Sequence, residues 1–178
     1  ITAEEFLQRF WQKRPYLFEN TQLDLSCLPN RQQLFELAAE EDVQSRIIYS
    51  ENGHGYHALY DEPEAWDDVA DYHPTLLVSD IEKWRPKAKQ LLKAFPFIKS
   101  WRLDDLMISF APTGASVGAH TDHYDVFLIQ MRGSRLWSWD DEPLNISQPQ
   151  CQLVEDSDLS VLDNYQAKNT FELKQGDI

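Results

Sequence analysis

Cysteine is scarce in this chain. Cys27 and Cys151 are its only two in 178 residues, far apart and in no metal-like spacing. That excludes a disulfide framework and makes a reducing cytoplasm the expected compartment. Long apolar runs are missing too. None approaches the ~20 residues that a bilayer-spanning helix needs, and no secretory apolar region opens the chain. Positive charge is also short. Sixteen lysines and arginines stand against 30 aspartates and glutamates, a formal net charge of −14. That balance argues against a nucleic-acid surface and points either to a basic partner or simply to good solubility. Internal repeats, low-complexity segments and glycine-rich phosphate loops are absent.

What is present fits one folded domain. Hydrophobic residues make up 42% and aromatic residues 12%, including six Trp and nine Phe, enough for a sizeable core rich in rings. Thr2 followed by Glu5 reads as a capping box opening a helix with Phe6, Leu7, Phe10 and Trp11 at helical spacing. Tyr16 to Phe18 predicts a short strand. Asn30 caps a second helix, residues 31–39, with Leu34, Leu37 and Ala38 inward. Residues 43–50 and 56–60 predict a hairpin across a turn containing Asn52-Gly53. Asp61 to Asp71 is acidic and loop-like, with one helical turn expected around Trp66. Thr75 to Val78 is a short strand. Asp80 caps a helix interrupted by Pro86, which predicts a late start or a kink. Turns are expected at 140–143 and 175–177, a mostly polar loop up to Ser160 and a strand at 171–173. Short strands at close spacing with helices concentrated early predict a mainly β barrel or sandwich with added helices.

Two stretches carry chemistry. The first is Val117 to Trp139. Its His120-Thr121-Asp122 leads into an apolar run, a turn at Gly133 and a return through Arg135. In an extended segment His120, Asp122 and Tyr124 share one face. An imidazole and a carboxylate so placed are two thirds of the two-histidine, one-carboxylate set that holds non-haem Fe(II). The same tripeptide also occurs as an ordinary surface hydrogen-bonded pair. Arg135, with Trp137 and Trp139 on its face, can grip a carboxylate bidentately, or can be a surface arginine stacked on tryptophan. The second stretch is Trp101 to Phe110. There Leu106, Ile108 and Phe110 suit a core, while Asp105, Met107 and Ser109 suit the lining of a small polar pocket. Taken together, a metal pair and a cation for a distal carboxylate are what a 2-oxo acid co-substrate requires.

On the segments FLQRFWQKRPYLF, LAAEEDVQSRII, WRLDDLMISFAPTGASVGAH and HTDHYDVFLIQMRGSRLW, the chain resembles the bacterial ribosomal oxygenases. These are JmjC-type cupins, Fe(II)- and 2-oxoglutarate-dependent arginine hydroxylases of a large-subunit ribosomal protein. The resemblance implies a double-stranded β-helix (jelly-roll) barrel with N-terminal helices packed outside. It implies His120 and Asp122 as iron ligands and Arg135 as the anchor of the 2-oxoglutarate carboxylate. It implies Asp105, Met107 and Tyr124 as the pocket for the substrate arginine, hydroxylated at its β-carbon. A carboxylate at Asp105 can pair a guanidinium in fork geometry, and Met107 and Tyr124 can flank its aliphatic stem.

The family's third iron ligand is a histidine following a Gly-Asp-hydrophobic segment. Here that segment is Gly176-Asp177-Ile178, so the histidine is expected after Ile178. His54, His57 and His73 lie upstream, outside the motif, and read as loop and edge histidines; His123 points to the other strand face. Residues 1–178 are accordingly expected to be a catalytic domain cut at its C-terminus, with the family's dimerisation and winged-helix-like regions outside it and a homodimer when full-length. The expected partner is a basic ribosomal protein, with no nucleic acid and no membrane. Rival readings are a related JmjC hydroxylase acting on histidine or asparagine, a lysine demethylase, a non-catalytic cupin binding a ribosomal protein, and a hydrolase using His120 and Asp122. No serine or cysteine in a nucleophile motif supports the hydrolase.

Overall fold

Helices and antiparallel strands alternate along the chain: α1 (Ala3–Arg9), α2 (Arg31–Ala38), β1 (Ser45–Glu51), β2 (His54–Tyr60), β3 (Thr75–Val78), α3 (Ile81–Trp84), α4 (Lys89–Leu92), β4 (Ile108–Phe110), β5 (Ser134–Trp139) and β6 (Asn169–Lys174). Segments of 3-10 helix cover Pro63–Tyr72, Pro86–Ala88 and Ser100–Arg102. The structure, a computed structural model, describes residues 1–51, 54–140, 153, 159–163 and 165–178. The expected turns at Asn52-Gly53 and Asp141-Glu142-Pro143, most of the polar loop before Ser160, and Cys151 lie outside the described residues. The chain divides into two compact units.

The larger unit, Ser26–His120 with Leu153–Leu162, is built on a four-stranded sheet in the order β2-β1-β3-β4. Every pairing is antiparallel, and Ile47 faces Leu59 on one side and Leu76 on the other. The apolar run of β3 explains its place inside the sheet. Leu76 and Val78 are fully buried, as is Thr75, and a strand covered on both faces carries no alternation. Helix α2 forms where Asn30 accepts from the Gln33 backbone and the Gln33 side chain accepts from the Asn30 N–H, a complete capping box. It buries Leu34, Leu37 and Ala38. Phe35 meets Trp66 and Phe110 edge-on at 4.9 and 5.8 Å, and the Arg31 guanidinium lies 5.0 Å from the Phe35 and Phe110 rings.

Around Trp66 the helical segment is longer than the single turn expected, because Pro63, Trp66 and Val69 recur at a three-residue spacing and all are buried. At Pro86 the expected interruption takes the form of a break, α3 giving way to a 3-10 turn before α4. Asp80 precedes α3, but its side chain makes no cap bond; it pairs with Lys83 at 2.7 Å instead.

The smaller unit, Ile1–Leu25 with Thr121–Gln152 and Asp163–Ile178, contains the β5–β6 ladder, in which Arg135 faces Leu173 and Trp137 faces Phe171. A helix as short as α1 is unstable alone. It is held by Phe6, whose ring lies 5.1 Å from Phe18 and 6.4 Å from Phe127. Thr2 accepts from the Glu5 backbone, but the expected capping box is only half formed, the Glu5 carboxylate pairing with Arg9 at 2.6 Å instead of reaching back to Thr2. The Tyr16–Phe18 strand joins no ladder, yet Phe18 exchanges both backbone bonds with Ile178 at 2.9 Å. On the other side of that segment Gln130 bonds to Gly176 and Asp177.

The architecture is therefore mixed helix and antiparallel sheet. Among the described residues neither sheet closes on itself, so the expected jelly-roll barrel is not seen as a continuous ladder. The apolar strand expected after Asp122 is also irregular. Thr121 to Val126 are all exposed, and no buried face holds them in register before Phe127, which stacks on Trp11 at 5.8 Å.

Candidate active site

His120 ends the first segment of the larger unit. Gly118 makes its placement possible. Its φ of +81° lies in the left-handed region, and a Cβ there would sit 2.6 Å from Val161 Cγ1 and 3.0 Å from the Tyr56 ring. Only glycine meets both demands. The chain is then pinned by Leu162 N–H donating to the Ala119 carbonyl at 2.7 Å and by a bridge between His120 and Val161. His120 Nδ1 lies 3.0 Å from the Gly118 carbonyl. A carbonyl can only accept, so Nδ1 carries the proton aimed at it, and Nε2 is the nitrogen that would face a metal. That tautomer, fixed by a backbone carbonyl, is the usual state of a metal-ligating histidine.

Asp122 lies two residues on, exposed, in the irregular stretch. The strand argument that set both side chains on one face has no ladder to stand on here. Chain connectivity still keeps an imidazole and a carboxylate within a short reach of each other. Among the described residues no third histidine, cysteine or carboxylate completes a metal-binding group. The donor types present, one imidazole and one carboxylate, fit a borderline-hard divalent ion such as Fe(II).

Arg135 sits on β5, where burial alternates residue by residue. Arg135, Trp137 and Trp139 are half-buried; Ser134, Leu136 and Ser138 are exposed. This is the shared face read from the sequence. Burial lowers the Arg135 pKa, with no other influence among the described residues. Among the described residues no carboxylate or carbonyl is bonded to its guanidinium. A partly desolvated cation without an anion is costly, and one carboxylate in fork geometry would satisfy it.

Asp105 belongs to the larger unit and stands in an acidic neighbourhood. Asp80 N–H donates to its Oδ2 at 3.2 Å, and the buried Glu82 accepts from Leu106 N–H at 3.0 Å. Burial raises the Asp105 pKa first, with Asp104, Asp80 and Glu82 adding to it; the Asp80 N–H opposes them. Such a carboxyl favours a cationic guest. The expected alternation is only partly present, because residues 103–107 lie before the strand: Met107 is 37% exposed against 5% for Ile108, while Asp105 and Leu106 are both half-buried. Tyr124, in the smaller unit, is 63% exposed.

Glu82 and Gly118 were not read from sequence as site-building residues. A buried acid two positions into a helix and a glycine in a loop become legible only once their packing partners are known. Asp177 is a third. Its carboxylate accepts from Asn20 and Lys174 N–H at 2.9 and 2.8 Å, which lowers its pKa.

The JmjC domain family model matches residues 90–178. The Escherichia coli "Ribosomal protein uL16 3-hydroxylase" is 34% identical over 174 residues, covering 98% of this chain and 45% of its own length. The Haemophilus influenzae "Probable ribosomal oxygenase" is 36% identical over 146 residues, covering 77% of this chain and 34% of its own length. The solved Escherichia coli ribosomal oxygenase YcfD, in complex with cobalt and 2-oxoglutarate, superposes with a TM-score of 0.78 at 31% identity, over 99% of this chain and 44% of its own. The chain thus spans between a third and a half of the length of these relatives. With half of its residues under one family model and nearly all of its length aligned to a hydroxylase and an oxygenase, the chain belongs to the JmjC-domain family.

Proposed function

We propose that the chain is the oxygenase part of a cytoplasmic Fe(II)- and 2-oxoglutarate-dependent hydroxylase that acts on the β-carbon of an arginine in a basic large-subunit ribosomal protein. The observation that carries the reading is Arg135. It is a half-buried guanidinium with no anion among the described residues, on a strand face shared with two tryptophans. A dicarboxylic co-substrate supplies the missing anion. Relatives named as a ribosomal oxygenase and a uL16 3-hydroxylase, and a neighbour solved with cobalt and 2-oxoglutarate, support the same assignment.

In this reading His120 Nε2 and Asp122 hold the iron. The third ligand is proposed, on the family resemblance, to be a histidine following Gly176-Asp177-Ile178, and the full-length protein to be a homodimer. When bound, iron with 2-oxoglutarate and O2 supplies the oxidising chemistry, in which C–H becomes C–OH while the keto acid leaves as succinate and CO2. The chain's own residues orient. Gly118 carbonyl fixes the His120 tautomer, Arg135 fixes the distal carboxylate, and Asp105 takes the substrate guanidinium while Met107 and Tyr124 flank its stem. Orientation of that kind decides which C–H bond is presented. The charge of Asp105 and its neighbours favours arginine over a neutral histidine or asparagine side chain.

The test is 2-oxoglutarate binding to the full-length protein loaded with Mn(II), a stand-in that does not turn over. Arg135→Met should weaken binding by about 100-fold, the scale of a desolvated charge pair losing one partner. Unchanged affinity would move the anchor elsewhere and remove the main support.

A further inference from the structure

Charge in this acidic chain is segregated. Seven of its 16 lysines and arginines fall between Lys83 and Arg102, where there is no aspartate or glutamate. The whole run belongs to the larger unit. Its inward positions are apolar, with Ala88, Leu91 and Phe95 buried. That leaves the cations outside. Lys83, Arg85, Lys87, Lys89, Lys93, Lys99 and Arg102 are all exposed. Lys83 is neutralised by Asp80 at 2.7 Å. Among the described residues none of the other six has a carboxylate partner. Within the same run Trp101 is 81% exposed, the most exposed large hydrophobic side chain described, and it lies between Lys99 and Arg102.

Uncompensated cations and a bare indole make different demands on a ligand. Cations alone would accept any polyanion. An exposed tryptophan flanked by them adds a flat stacking surface, which a planar nucleobase fills better than the carboxylates of polyglutamate or the sulfates of heparin. The net charge of −14 does not oppose this. Beyond about 8 Å at physiological salt the acidic remainder is screened. Asp80, Glu82 and Asp105 reach Lys83 at the start of the run, so the cations offered to a ligand are the ones further along, Lys87, Lys89, Lys93 and Lys99, for which no carboxylate partner is described.

We propose that Lys83–Arg102 is a binding surface for single-stranded nucleic acid, with phosphates on Lys87, Lys89, Lys93 and Lys99 and a base stacked on Trp101. This reverses the expectation drawn from the net charge, because a whole-chain sum averages away a local segregation. The inference does not depend on the oxygenase reading.

The experiment is fluorescence anisotropy of the full-length protein with labelled oligouridylate and oligothymidylate of about 12 nucleotides, a length within single-strand site sizes, with heparin and polyglutamate as competing polyanions. Both oligonucleotides should bind, or the RNA more tightly, with affinity falling linearly on a log–log salt plot. The triple change Lys87→Glu, Lys89→Glu, Lys93→Glu should weaken binding by at least about 10-fold. Trp101→Ala should weaken oligonucleotide binding by about 10-fold and leave heparin binding and the thermal midpoint unchanged. Three results would overturn the proposal: no binding at about 50 mM salt, tighter binding of polyglutamate than of either oligonucleotide, or an oligonucleotide affinity untouched by Trp101→Ala.

Discussion

Arg135 and Asp105 are opposite charges held in unfavourable surroundings for the same reason. Each is partly desolvated by its neighbours, Arg135 opposite the buried Leu173 and Asp105 beside the buried Glu82. Such groups are kept where a ligand supplies the counter-charge. For Asp105 the consequence for stability has a definite sign. Its folded pKa lies above its unfolded value, so the ionised group opposes folding at neutral pH, and the opposition fades as pH falls through the raised pKa toward about 3.9. Asp105→Asn keeps the acceptor for Asp80 N–H and should raise the thermal midpoint at pH 7 but not at pH 3.5. An unchanged midpoint at pH 7 would show that burial does not strain this carboxyl. The same variant should weaken an arginine peptide and spare 2-oxoglutarate, which calorimetry separates; loss of both would signal a folding defect. Asp177 has the opposite sign. Its lowered pKa adds stability above about 4 that is lost as pH falls through the folded value. Asp177→Ala should therefore flatten the acid limb of the stability profile, and an unaltered limb would contradict its role in tying Asn20 to Lys174.

The elements show where local sequence decides and where packing does. The caps at Thr2 and Asn30, the β3 run and the break at Pro86 are legible because each depends on residues within one turn or one strand. The alternation of Arg135, Trp137 and Trp139 is legible for the same reason. The segment after Asp122 is not. Its apolar letters suggest a strand, but its anchors are distant, Asp125 accepting from Gln12 Nε2 at 3.0 Å, Phe127 on Phe6 and Trp11, and Gln130 on residues 176–177. Gly118 is the sharpest case. Its role depends on Val161, more than 40 positions away. Gly118→Ala forces a Cβ toward Val161 and a left-handed φ on alanine. It should cost about 2–3 kcal/mol in denaturant unfolding and lower metal affinity by disturbing the His120 bond to the Gly118 carbonyl. Wild-type stability and metal binding together would show that the turn tolerates a side chain. Phe6→Ala, by removing the ring that holds α1, should cost about 3–5 kcal/mol.

At the scale of the whole molecule, charge sets the encounter. In the proposed function the 30 acids, all outside the Lys83–Arg102 run, should draw a basic protein substrate in at low ionic strength, so its association rate should fall steeply with salt while dissociation changes little. Stopped-flow mixing with a basic ribosomal protein checks this, and a salt-independent rate would show that short-range contacts alone govern capture. No described helix is long and apolar enough to cross a membrane. Neither the unclosed sheets nor the division into two units could be read from the sequence, because both depend on pairings across long separations.

The most direct test of the proposed function is mass spectrometry of unmodified ribosomal proteins incubated with the full-length protein, Fe(II), 2-oxoglutarate and O2. The account predicts a gain of one oxygen on one arginine of a single large-subunit protein, lost when 2-oxoglutarate is withheld. A gain on histidine would contradict the Asp105 pocket, and no gain on any ribosomal protein would contradict the hydroxylase assignment itself.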